Sequence, residues 1–502
     1  MTKIEEHAKK VVIFLAILSL AVIILISLFF PKLVAIQGHI RVISSIFRVA
    51  VLNGASAIIA LILLSGLMYL LKIKIMNNIK LMLTIELLLY FLFMIALTKY
   101  YGIIGPIDDA WVVMDNAITL KDTGVIDGWY MVSNPQNLFL MYLYLGIEGI
   151  FNTFSYQITF IVFALMHVGS AFLVYKCAEA VSKNQISAFI TMQLFIFCYQ
   201  ITLHVTNIYT DTLQLFIILL GLYPVLRFAE STWKNLIFSI LAASVAFSVG
   251  FLAKGTTLVL IIAFVLLLVI NLKGKKKILA TIPIVMLLTI NTSWNSFIDS
   301  QEIYQVDKIG MPNTHYIFMG LNTWYPEGNT IGQRQYFLTG AYNDGDLNYS
   351  KTLFFDQDLT KEEVQAEHIR MIKERVAGFN FKSGLEFLGA KIATSWSSGD
   401  LKSTYSVRIG AQNEKQKVNL LESYPTYIYM QSMQFLYFFI ASLVFIKAFF
   451  NRIKVDPIIL LSSIFTVGMF LFLIIWEASP RYVIAVMPFY MLLLTKLAPI
   501  QE

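Results

Sequence analysis

Two adjacent carboxylates, Asp108 and Asp109, stand in the stretch YGIIGPIDDAWVVMDNAITLKDTGVIDGWYMVSNP, residues 101–135. This is the first long polar break in a chain that is otherwise mostly apolar. Asp115, Asp122 and Asp127 follow, and Lys121 is the only base. Neighbouring carboxylates repel, and one pKa rises unless a cation lies between them. The pair therefore shares a proton, binds a divalent ion together with Asp211, or meets Lys254 or Arg481. A local reading competes. Gly105, Pro106 and Asp108 also spell a turn and an N-cap opening a helix that ends near Gly124. Capping accounts for one Asp more easily than for two in a row, and capping and catalysis can share a residue.

Other charged residues fall in short turns between apolar runs. HVTNIYTD, residues 204–211, carries Asp211; LAKGTT carries Lys254; WEASPRY, residues 476–482, carries Glu477 and Arg481. A charge in so tight a turn is expensive unless it is paired or used. Lys254 has the alternative of snorkelling to lipid phosphates, and Glu477 with Arg481 that of an i,i+4 ion pair. His315, in PNTHYIFMGLN, is the most site-like histidine. The others are too scattered for a metal cluster, and a lone loop histidine has a structural reading as well.

The elements that must position these residues are membrane spans. The 502 residues are 58% hydrophobic and only 14% charged, against about 25% charged in a soluble domain. Apolar runs near 20 residues make this a polytopic membrane protein. Twelve spans are expected: 11–30, 50–71, 79–98, 158–176, 186–204, 211–227, 236–252, 256–272, 278–294, 429–449, 456–475 and 481–498. The first reads as a retained span, not a cleaved leader. The net charge of +7 belongs in cytoplasmic loops and implies no nucleic-acid partner. Lys72, Lys74 and Lys80, then Lys273 with Lys275–Lys277, then Lys447, Arg452 and Lys454 all lie inside if both termini are cytoplasmic. The acidic loop then faces out. Lys32, Arg41 and Arg48 dissent. The parity requires that 137–152 not span. Its polar stripe of Asn137, Tyr144, Glu148 and Asn152 marks a helix in the outer interface. Residues 295–425 form one outer region, Gly-, Asn- and aromatic-rich at first, then helical from the N-cap signal Thr360 with Glu363. The 2 cysteines give neither a disulfide framework nor a metal site. No GxxxxGK[ST], GxSxG, HExxH or GxGxxG occurs, so nothing suggests an ATP-driven transporter.

The acidic pair in GPIDDAW, interface helices in the same loop, the acidic turn NIYTD, the Lys254 turn and WEASPRY together resemble the GT-C superfamily. These polytopic glycosyltransferases include protein O-mannosyltransferases and the lipid A aminoarabinose transferase. The resemblance covers the chain from about residue 79. One departure is that two spans, not one, precede the span feeding the acidic loop. The resemblance implies an all-α GT-C-like bundle with a small mixed extracytoplasmic region. The divisions are 1–78 (two spans), 79–294 (core, with its catalytic loop at 100–157), 295–425 and 426–502. It implies a polyprenyl-phosphate sugar donor and transfer on the outer face of a bacterial plasma membrane. The acceptor is an envelope polysaccharide, teichoic acid, lipid or protein. Phosphate is a good leaving group, so the acceptor hydroxyl needs only a base. That role falls to Asp109, with Asp108 its partner and inversion at C1 the outcome. Lys254 and Arg481 are the expected phosphate contacts. Asp211, His315 and Glu477 are candidates for substrate or for a divalent cation, Mg or Mn, on whose use family members differ. The rival reading is a secondary transporter, flippase or polymerase of envelope polysaccharide. Transporters concentrate polar residues at the midplane, whereas here the charges sit at outer turns.

Overall fold

The computed structural model describes the chain apart from residues 1–2, 30–31, 37–38, 44–45, 74–76, 127, 229–231, 307, 323–338, 422 and 499–502. Lys74, Asp127 and the side chains of Lys32, Arg41 and Arg48 lie outside what is described. Among the described residues ten helices are long and apolar enough to cross a membrane. The bent pair Gln185–Ile196 and Tyr199–Asn207, which turns by 56°, makes an eleventh if it crosses as one span. The expected twelfth, at 256–272, is the helix Thr257–Asn271 of 15 residues. At 1.5 Å per residue it falls short of the roughly 30 Å hydrocarbon core. The count is therefore ten or eleven, not an established twelve. Among the described residues the one sheet is a hairpin, Lys32–Ile36 paired antiparallel with His39–Ile43, in the segment whose charges dissent.

Local signals fix where helices begin and end. Asp456 precedes Pro457, and its Oδ1 accepts from the Ile459 N–H at 3.1 Å, so Pro at the first helical position loses nothing. Thr360 and Glu363 form the reciprocal capping box that the sequence spells. Gly102 closes Ile79–Tyr101 in the left-handed region at φ 67°, where a side chain would be strained.

The bundle has two unlike ends. At one, Lys277 Nζ lies 3.2 Å from Glu5 and Lys496 pairs with Asp456. The lysine-rich 273–277 turn and the N-terminal helix thus share that end. The other end gathers the 205–210 and 476–480 turns and the described parts of the acidic loop and of the 301–423 region. The Ile126 N–H donates to the Ile303 carbonyl at 2.8 Å, Gly310 to Val132 at 2.7 Å, Gln412 to Tyr101 at 3.0 Å and Ala478 to Gly340 at 2.6 Å. The described part of 295–425 is helical rather than mixed: Thr314–Gly320, Asp344–Lys351, Lys361–Ala377, Phe381–Trp396 and Ser403–Gly410.

The segment 137–152 folds as the helix Leu138–Phe151 of 14 residues, too short to span. Three of the four residues of its polar stripe turn toward protein, and the fourth, Asn152, is exposed at the end of the helix. Asn137, Tyr144 and Glu148 are buried. Tyr144 donates to the Ile208 carbonyl at 2.6 Å, and Glu148 pairs with Lys121. Ile150 and Phe151 are left exposed, an apolar face suited to lipid.

Candidate active site

The acidic pair opens the helix Asp108–Thr123. Ile107 holds the cap position in extended conformation, and no side chain caps the helix. Neither aspartate is tied up as an N-cap. Ile107 is itself held from outside, because its N–H donates to Asn207 Oδ1 at 2.9 Å. Asp108 follows in the left-handed region at φ 49°. For a non-glycine residue that costs about 1–3 kcal/mol and persists only where surroundings impose it. Both carboxylates sit on the positive end of the helix dipole. Asp108 is exposed and faces Tyr405, whose phenol is pushed up by burial and then by Asp108.

Asp109 points inward. Its Oδ2 lies 3.5 Å from Arg481 Nη2 and accepts a long hydrogen bond, 3.5 Å, from the Tyr209 hydroxyl. The same hydroxyl is 3.3 Å from Asn137 Oδ1, and Asn137 Nδ2 donates to Tyr130 at 3.0 Å. Burial, then the Asp109 charge, pushes the Tyr209 phenol well above its usual range. Tyr209 therefore stays a donor. The Arg481 guanidinium lies 5.3 Å from the Tyr209 ring centroid and 5.8 Å from that of Tyr482. Its Nε is buried with no hydrogen-bond partner among the described residues. An orphaned buried donor is costly, and an arriving anion would satisfy it.

Behind this group Lys254 and Asp211 form an ion pair, with side chains 9% and 5% exposed. Lys254 also lies 5.2 Å from the Tyr482 ring. Burial brings its ammonium down to about 8 against the opposing pull of Asp211. The expected phosphate contact Lys254 thus already has the Asp211 carboxylate as a counter-charge. Glu477 does not make the expected i,i+4 pair. Trp476 and Ser479 are extended, and the Arg481 ion pair found among the described residues is with Asp109. Burial raises the Glu477 carboxyl, against the pull of Arg481 and Lys402.

Asp109, Asp211, Lys254, Glu477 and Arg481 thus converge from four separate turns, with Asp108 at the rim. His315 joins another assembly. Its Nδ1 meets Ser350 Oγ at 2.8 Å, and the same Oγ meets His368 Nε2 at 2.9 Å. Burial takes His315 down to about 3 and His368 to about 4. Two neutral rings there tie three outer helices together. The next residue, Tyr316, does approach the site. Its hydroxyl donates to Asn134 at 2.9 Å and its ring stacks on Trp476 at 5.1 Å. Sequence reasoning missed Tyr209, which lies inside the quoted NIYTD, together with Asn207 and Lys402. Tyr209 and Asn207 are neutral residues beside a charge, and Lys402 is one lysine among many in a polar region; none stands out in a linear reading. Among the described residues no three His, Cys, Asp or Glu side chains gather as a metal site, and Asp211 is held by Lys254.

Residues 136–294 match the family described as dolichyl-phosphate-mannose-protein mannosyltransferase. The match begins at the interface helix, includes Asp211 and Lys254, and stops before Arg481; the acidic pair precedes it. No curated protein and no solved structure matches the chain. The match covers about a third of the 502 residues, and the long apolar helices are those of a multi-pass membrane protein.

Proposed function

We propose that the chain moves a glycosyl group from a polyprenyl-phosphate donor to an acceptor hydroxyl, with Asp109 as general base. The observation that carries this reading is the environment of Asp109. A half-buried carboxylate, set by a left-handed turn, faces a guanidinium that still has an unused buried donor. The carboxylate takes the acceptor proton as the hydroxyl oxygen attacks C1. The C1–O bond to phosphate breaks, and its electrons stay on the phosphate. One displacement with one base inverts C1. Arg481 lies between the two anions and balances the charge that moves from carboxylate to leaving group. Tyr209 orients Asp109, and Asp108 with Tyr405 forms the rim where an acceptor enters. Lys254 neutralises Asp211 and so holds Arg481 and Tyr482 in place. Glu477 lies within electrostatic reach of Asp109 and Arg481, and His315 supports the helix that presents Tyr316. The site lies on the outer face of a bacterial plasma membrane. The acceptor is an envelope glycopolymer, lipid or protein.

The test is Asp109→Asn. Asn keeps the shape but takes no proton, so turnover with a polyprenyl-phosphate sugar should fall by about 10²–10⁴-fold, with donor binding and melting temperature retained. Near-normal turnover by folded protein would remove Asp109 from the chemistry.

A further inference from the structure

We infer that Lys402 is a second cation for the donor's lipid-linked phosphate, acting beside Arg481. This rests on the transferase reading above. Three observations carry it. The first is that Lys254, the other cation close to Arg481, already faces the Asp211 carboxylate.

The second is placement. Lys402 lies in SSGDLKSTY, between the helices Phe381–Trp396 and Ser403–Gly410. Its ammonium is within electrostatic reach of Arg481, Glu477, Asp109 and Asp108, in that order of strength. The ring of Tyr405, which faces Asp108, lies 5.4 Å from Lys402 Nζ. No hydrogen bond or ion pair to that Nζ is found among the described residues, so its three donors are open to a ligand.

The third is the backbone that presents it. Leu401 and Lys402 are both left-handed, at φ 53° and 66°, and neither is glycine. Two consecutive residues of this kind are strained, and the surroundings hold them from several sides. His204 Nε2 meets the Leu401 carbonyl at 2.9 Å. Asp400 Oδ1 accepts from the Lys402 N–H at 3.2 Å. Gly399 donates to Gln431 Oε1 at 3.1 Å and lies so close that a Cβ there would stand 2.6 Å from Gln431 Cα. Strain over-determined by its surroundings marks functional positions. What this turn delivers to the site is the Lys402 ammonium. Burial and then Arg481 push that ammonium below its usual range, a penalty that a phosphate would relieve. Arg481 with one open guanidinium donor and Lys402 with a mobile point charge are the two kinds of cation that phosphate recognition uses together.

The experiment measures binding of a polyprenyl phosphate to the purified full chain, with inorganic phosphate and the polyprenol alcohol as separate probes. Lys402→Met keeps the apolar stem and removes the charge. It should weaken polyprenyl-phosphate binding roughly ten- to hundredfold and leave the alcohol's weaker binding unchanged. Lys402→Arg should restore most of the loss, and Lys254→Met should not reproduce it at matched folding. Saturable binding of inorganic phosphate alone would assign the contact to free phosphate and overturn the lipid-linked source. If the parent protein binds no polyprenyl phosphate, the transferase reading itself fails. If the parent binds and a folded Lys402→Met binds equally well, only this inference is overturned. Should Lys402→Met melt early, amine acylation of the unmutated protein decides. Polyprenyl phosphate should slow modification of Lys402, and an unchanged rate would overturn the assignment.

Discussion

Lys254 and Asp211 differ from Asp109 and Arg481 in what their charges are free to do. The first pair is almost sealed from solvent; in the second the Asp109 side chain is 39% exposed and 3.5 Å from its partner. Breaking a buried pair leaves one uncompensated charge and costs about 3–5 kcal/mol. Lys254→Ala should therefore lower the melting temperature markedly, before any donor is added. The double variant Lys254→Met with Asp211→Leu removes both charges and should recover much of that loss. A Lys254→Ala protein that melts like the parent would show that Asp211 finds another partner, and Lys254 would return as a phosphate contact. The Asp109→Asn change should carry a smaller penalty, because the carboxamide oxygen can still accept from Tyr209 and this longer pair is open to solvent. Stability and turnover thus separate the two pairs.

Among the elements, the start of the Asp108–Thr123 helix depends on a residue a hundred positions away. Asn207 accepts from the Ile107 N–H, which has no helical partner at that position. Asn207→Leu keeps the volume and removes the acceptor. An orphaned, partly buried N–H costs about 1–3 kcal/mol. The loosened turn should cut turnover even though every charged residue is intact, and Asn207→Asp, which still accepts, should restore it. Unchanged turnover in Asn207→Leu would mean that the helix positions its own first turn. This tie shows what a linear reading reaches and what it misses. The spans were legible because lipid leaves a backbone few solutions, so long apolar runs become helices. The acidic pair was legible because carboxylates are costly at a membrane edge. The bond from Asn207 to Ile107 was not, nor the pairing of Lys254 with Asp211 across 43 positions. Spacing carries no information about which turns meet once spans have packed. The interface helix shows both sides. Its length is the one expected, but Tyr144 and Glu148 of its stripe grip the Ile208 carbonyl and Lys121, and Asn152 alone of the four is exposed.

At the scale of the whole molecule, the two ends of the bundle differ in charge as they differ in chemistry. Lys273, Lys275, Lys276 and Lys277 cluster at the end where Lys277 pairs with Glu5. Asp109, Asp211 and Glu477 gather at the other. Basic loops stay on the cytoplasmic side during insertion because moving them across costs more than moving acidic ones. The site end should then face outward, where a polyprenyl-phosphate sugar is available after its headgroup has crossed. Single cysteines test this in intact cells. The native Cys177 and Cys198 are both buried, so background labelling is low. Asp344→Cys, at an exposed helix start on the site end, should react with an impermeant maleimide without permeabilisation. Lys275→Cys should react only after the membrane is opened. The reverse pattern would place Asp109 and Arg481 in the cytoplasm. Nucleotide sugars are available there, and a lipid-linked donor would lose its rationale.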